Sequence, residues 1–217
     1  VGSEMSIRDR FTTSQLTILG LMAGILFLMA YTPLGYLNIG PLAVTFNVIP
    51  VAVCAIVLGP TGGAIAGAVF GLTSFMQAIG IGGVSALGSA LFQINPFMTA
   101  VQCFGPRILD GICIGFIYRA VHKKANTYVS CAVTGFFSAF LNTLFFMTAL
   151  IVMFGNTELI RNLMGGHNII VGCCLMVGVN AISEMVSSTI ITAAVGTALS
   201  KAHLIPAVQI VKTDTAA

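Results

Sequence analysis

Five residues able to carry charge or to make several hydrogen bonds lie where the chain otherwise reads as lipid-soluble: Arg107, Asp110, Asn142, Asn180 and Glu184. The stretch CFGPRILDGICIG, Cys103 to Gly115, sits in an apolar run from about Phe97 to Tyr118 and still holds a cation and an anion. An ionisable side chain near a bilayer centre costs on the order of 3 kcal/mol on insertion scales, so such residues face a bundle interior or a cavity. Thr99, Cys103, Arg107 and Asp110 follow the rhythm of one helical face, as do Ser138, Asn142, Phe145 and Ala149, and again Asn180, Glu184 and Ser187. Thr45, Asn47, Thr73, Ser74 and Gln77 add hydroxyls and amides nearer one end. A guanidinium among amides is equipped to hold a carboxylate by a two-pronged hydrogen bond. In the plainer reading Arg107 pairs with Asp110 or Glu184 to pin helices, and Asn142 and Asn180 link them by hydrogen bonds. Two carboxylates around one guanidinium still leave it donors to spare, which favours a ligand role for Arg107.

The elements that must position these residues follow from composition. Of 217 residues 57% are hydrophobic and 7% charged, and the mean hydropathy is +1.02. Those values define an integral membrane protein. The length suffices for five or six spans of about 20 residues and for no separate soluble domain, so one domain over residues 1–217 is expected. The leading Val-Gly-Ser-Glu before Met5 reads as a cloning remnant. Spans are expected at Phe11 to Tyr31, Val44 to Gly59, Gly62 to Ala78, Pro96 to Tyr118, Val129 to Phe154 and Ile169 to Leu199. Pro60 separates the second from the third, and Pro50 is expected to kink the second. The first has no small-residue cleavage site and is expected to remain in the protein.

The fold class is therefore an all-α bundle of six transmembrane helices. Arg8, Arg10, Arg119, Lys123, Lys124, Lys201 and Lys212 fall on one side of it, against Arg161 on the other. Basic residues accumulate in cytoplasmic segments, so both termini should be cytoplasmic. The longer connections, Thr32 to Ala43, Ile79 to Asn95 and Gly155 to Asn168, then lie outside as candidate gates. The glycine-rich one, IGIGGVSALGSALFQIN, lacks the dinucleotide fingerprint because Ser85 stands where a glycine is needed, and reads as a mobile uncharged lid. No Walker A sequence occurs, so the chain has no ATP site of its own. The six cysteines show no zinc or redox spacing and read as packing residues. No nucleophile elbow or catalytic carboxylate pair is present; a channel or an intramembrane enzyme remains as a lesser alternative.

The runs TFNVIPVAVCAIVLGPTGGAIAGAVFGLTSF (Thr45 to Phe75), INPFMTAVQCFGPRILDGICIGFIYRA and LNTLFFM resemble the substrate-binding S components of energy-coupling factor (ECF) vitamin transporters. The resemblance extends from Phe11 to Leu199, and Leu58 to Gly63, Leu-Gly-Pro-x-x-Gly, is shared by several S components. The Asn-Pro at Asn95, the Pro-Arg at Pro106 and the Asn-Thr at Asn142 point to the pantothenate type, with pyridoxine, folate or riboflavin types as alternatives. The resemblance implies a six-helix protein that captures a vitamin from outside and docks on a coupling transmembrane protein with two ATPase subunits, without a cofactor. In the family, small residues on the first helix form the docking face. Gly20 and Gly24 match that pattern here, internal packing being the other reading. For pantothenate, Arg107 is expected to meet the carboxylate and Asp110 to hold the guanidinium in the empty site. Asn47, Gln77, Asn95, Asn142, Asn180 and Glu184 are expected to supply polar partners, and Phe46, Phe75 and Phe145 the apolar wall.

Overall fold

The computed structural model describes residues 13–32, 36–38, 43–82, 85–163 and 169–204. The chain runs through α1 (Thr13–Tyr31) into an antiparallel ribbon of β1 (Tyr36–Asn38) and β2 (Ala43–Thr45). Then come α2 (Val48–Ala78), α3 (Ala86–Ile94), α4 (Pro96–His122), α5 (Thr127–Phe154), α6 (Glu158–Leu163) and α7 (Ile169–Lys201). Apart from the ribbon the architecture is helical. Among the described residues five helices are long and apolar enough to cross a membrane: α1, α2, α4, α5 and the Asn180–Lys201 part of α7.

Three of the helices begin on side-chain caps. Ser85, Asn95 and Asn126 each accept a hydrogen bond from the backbone N–H three residues on, Gly88, Met98 and Val129. Such caps satisfy donors that a helix start leaves open, and Pro96 in the first position of α4 has no N–H to leave. The cap at Ser85 starts a helix inside the connection expected to be a mobile lid. The glycines there serve the turn before it: Gly80 and Gly82 take φ of 87° and 79°, and the ring of Tyr31 lies where a Cβ on Gly82 would stand.

As a straight rod the 31 residues of α2 would reach about 46 Å, far beyond a bilayer core. They do not run straight, because Gly59 adopts φ 72° and ψ −162°, a conformation open to glycine. A Cβ on Gly63 would stand 3.0 Å from that of Ala55, whereas residues eight apart in one helix are separated by about 12 Å. The chain therefore doubles back at Gly59, and Pro60 opens the returning arm. The break falls at Gly59, beside the division expected at Pro60, and two further details differ. The first arm begins at Val48 because Ala43–Thr45 is strand. Pro50 produces no kink because it lies in the first turn, where a missing N–H removes no intrahelical bond.

The first arm is buried throughout, from Val48 to Leu58. The returning arm lies against α4 along a row of glycines four residues apart. A Cβ on Gly63 would overlap the carbonyl of Gly111, one on Gly67 that of Arg107, and one on Gly71 would crowd that of Cys103. At the far end Gly115 abuts Pro60. Small residues at this spacing let helix backbones touch in lipid, where no hydrophobic force drives them together. Gly135 does the same for α5 against the Ser188 carbonyl of α7. Gly67→Ala should therefore push α2 off α4 and destabilise the protein by about 1–3 kcal/mol. Gly105→Ala, at an exposed glycine with nothing within 4 Å of an added Cβ, should be neutral or slightly stabilising. Thermal unfolding of the purified variants in detergent measures both.

Candidate functional site

At the ribbon end of the bundle a cavity of about 150 Å³ opens between β2, α2, α3, α4, α5 and α7. Its polar lining comes from Thr45, Ser74, Gln77, Ser85, Thr99, Gln102, Arg107, Asn142, Thr143, Asn180 and Glu184. Phe70, Phe146, Leu87, Leu91 and Met147 make the apolar wall. Arg107 is the one cation among the described lining residues.

Backbone geometry and two rings fix that guanidinium. Its Nη1 donates to the carbonyls of Cys103, at 3.0 Å, and Gln102, at 3.4 Å. Its carbon lies 4.6 Å from the centre of the Phe70 ring and 5.4 Å from that of Phe146. Rings at this range attract a cation electrostatically, by about 0.5–2 kcal/mol according to desolvation. Among the described residues no carboxylate lies within ion-pair distance of it, and its Nε is buried without a hydrogen-bond partner. The expectation that Asp110 holds the guanidinium is corrected. Helical side chains lean toward the helix N-terminus, so Arg107 reaches back over Cys103 and Gln102, away from Asp110. The Asp110 carboxyl is 2% exposed, lies outside the cavity, and has one oxygen without a hydrogen-bond partner.

The structure gathers Arg107, Gln77, Asn142, Asn180 and Glu184 around one cavity, as expected from their residue types. Two of these also hold neighbouring segments. Gln77 donates from Nε2 to the carbonyl of Ala30 at 2.6 Å, tying α1 to α2. Glu184 accepts the backbone N–H of Thr45 at 2.6 Å. The other expected lining residues lie elsewhere. Asn95 caps α4. Asn47 is fully buried at the start of α2, both amide atoms without partners. Phe46 packs on the core and faces a separate apolar groove between α1, α2 and α7. Phe75 packs on Phe92 and Phe104 at ring distances of 6.0 and 6.3 Å. Phe145 is one residue from Phe146, which takes the place at the cavity.

Gln102, Phe70 and Phe146 are foremost among the lining residues that sequence reasoning missed. Gln102 bridges α4 to α5 by donating from Nε2 to the Phe146 carbonyl at 2.8 Å, and its buried Oε1 has no partner. It sits three residues after Thr99, and Phe70 four before Ser74, so each shares a helical face with a polar residue already singled out. The arrangement can bind an anion by a guanidinium desolvated on aromatic faces, and can offer amides and hydroxyls to the rest of a small polar molecule. Phe70→Leu should weaken binding of a carboxylate ligand about three- to tenfold, by loss of one ring under the cation. Phe75→Leu should change it less than twofold; isothermal titration of each variant makes the comparison.

An apolar helical bundle with a small cavity at one end, lined by one cation, several amides and hydroxyls and an apolar wall, has the form of a membrane protein that can take a small ligand. The family model for the substrate-specific component of ECF transporters matches residues 14–196. The chain belongs to that family. It is similar to the "Pantothenate transporter PanT" of Leuconostoc mesenteroides, 33% identical over 178 residues, covering 79% of this chain and 81% of the relative. It is also similar to the "Pantothenic acid transporter PanT" of Lactococcus lactis, 28% identical over 203 residues, covering 88% and 95% respectively.

Proposed function

We propose that this chain is the pantothenate-capturing S component of an ECF transporter. The observation that carries the reading is Arg107, the one cation among the described cavity residues, whose side chain is held by backbone carbonyls and rings and, among the described residues, is not paired with a carboxylate. Pantothenate has a carboxylate at one end, an amide in the middle, and two hydroxyls beside a geminal dimethyl group. Arg107, bedded on Phe70 and Phe146, suits the first, Gln102, Asn142 and Asn180 the polar middle, and Leu87, Leu91 and Met147 the methyl groups. The names of the two relatives favour the same vitamin.

In this reading α1, the two arms of α2, α4, α5 and α7 make six spans. Both termini lie in the cytoplasm and the cavity opens outward, as the basic residues Arg119, Lys123 and Lys124 at the opposite end of α4 support. Family membership supports docking on a coupling transmembrane protein and two ATPase subunits. Gly20 and Gly24 are exposed, and among the described residues nothing lies within 4 Å of an added Cβ at either. They suit a helix of the coupling protein.

Two expectations follow. Arg107→Ala should lower pantothenate affinity at least thirtyfold, the effect of losing about 2 kcal/mol or more with a buried charge partner. Arg107→Lys should also weaken it, because an ammonium lacks the fork. Wild type should strongly prefer pantothenate over pantothenol, whose carboxylate is replaced by an alcohol, and Arg107→Ala should lose most of that preference. A well-folded variant that kept it would show that the carboxylate is met elsewhere. Second, Gly20→Leu or Gly24→Leu should impair uptake by the reconstituted complex while binding to the isolated chain stays intact and indifferent to ATP. Equal loss of both would refute the docking role.

A further inference from the structure

Glu184 and Thr45 are 139 residues apart in sequence, and the bond between them is short: the Thr45 N–H donates to Glu184 Oε1 at 2.6 Å. Both line the cavity, and Glu184 is 6% exposed. Thr45 is the last residue of β2, in register with Tyr36 of β1, and its own hydroxyl accepts the N–H of Asn47 at the start of α2. Strands of three residues cannot hold a ribbon in place by themselves, since an isolated hairpin is marginal even with longer ones. The other walls of the cavity are helices or their caps: α2, α4, α5 and α7 belong to the bundle, and the short α3 rests on it through the buried Leu91. The ribbon is thus a wall that can be displaced, and a bond of 2.6 Å from its backbone to a buried carboxyl oxygen is the attachment that ties its end to α7.

We propose that Glu184 is a positioning residue, its carboxylate fastening the end of the ribbon to α7 as a wall of the cavity and so setting how fast a bound ligand leaves. Its part is different from that of Arg107. Arg107 meets the charge of the ligand, whereas Glu184 serves by holding the backbone at Thr45. The kinetic half of this inference rests on the proposed function. The structural half does not.

The test uses the full chain in lipid nanodiscs and two substitutions. Glu184→Ala removes the acceptor; Glu184→Gln keeps an oxygen able to accept the Thr45 N–H and removes the charge. Without ligand, amide hydrogen exchange at Thr45 should accelerate at least tenfold in the Ala variant and stay close to wild type in the Gln variant. With radiolabelled pantothenate as the probe, release into a chase of unlabelled vitamin should be about tenfold faster in the Ala variant, with most of the slow release recovered in Gln. Unchanged exchange at Thr45 in Glu184→Ala overturns the proposal. So does a Gln variant that releases as fast as Ala, because the charge and not the acceptor would then matter. If wild type bound no pantothenate, the functional reading would fail, and the exchange measurement would still decide the fastening.

Discussion

Gly67 meets the backbone carbonyl of Arg107 with no side chain between them, and the geometry of the site descends from that approach. With Gly63 and Gly71 it lets the returning arm of α2 lie on the backbone of α4. Phe70, one turn on from Gly67, then comes under the guanidinium at 4.6 Å. From the other side Gln102 reaches the Phe146 carbonyl of α5 and brings a second ring to 5.4 Å. A bulkier residue at Gly67 would separate the arginine from one of the two rings that make its place in the membrane tolerable. The doubling back at Gly59 is part of the same design, because only a returning arm can run antiparallel beside α4 after a buried first arm.

A charge in this setting needs compensation, and the structure supplies it without neutralising the arginine. Backbone carbonyls take one nitrogen and aromatic faces accept the plane of the cation. A carboxylate of the protein in ion-pair contact would have satisfied the guanidinium more completely and left less for a ligand anion. Asp110 is three residues away in sequence and does not serve, because the arginine leans toward the helix start. Glu184 lines the same cavity with an oxygen engaged by the Thr45 N–H.

The parts of this arrangement that were legible in the sequence are those written in residue type and period. Arg107, Asn142, Asn180 and Glu184 stand out because lipid-facing positions exclude them, and helical spacing puts them on inward faces. Pro60 marks the reversal because a proline lacks the N–H a continuing helix needs. Other features depend on facts that spacing does not carry. Asn95 before Pro96 is as good a helix cap as a ligand, and the cap won. Phe145 and Phe146 are both aromatic, and about 100° of helical rotation decides which sees the cavity. Strands of three residues have too short a pattern to announce themselves, so the ribbon and its tie to Glu184 appear only in three dimensions. Gln102 shares the face of Thr99 by a step of three, whereas a step of four from Thr99 leads to its neighbour Cys103.

The central claim is that the Arg107 guanidinium, bedded on Phe70 and Phe146, is the seat of the ligand carboxylate. The most direct test is a structure of the chain with pantothenate bound, at a resolution that orients the vitamin. The account predicts a carboxylate oxygen within hydrogen-bond distance of Arg107, its Nε included, with the Phe70 ring still beneath the guanidinium. A vitamin bound with its carboxylate turned away from Arg107, or a guanidinium paired with Asp110 instead, would contradict it.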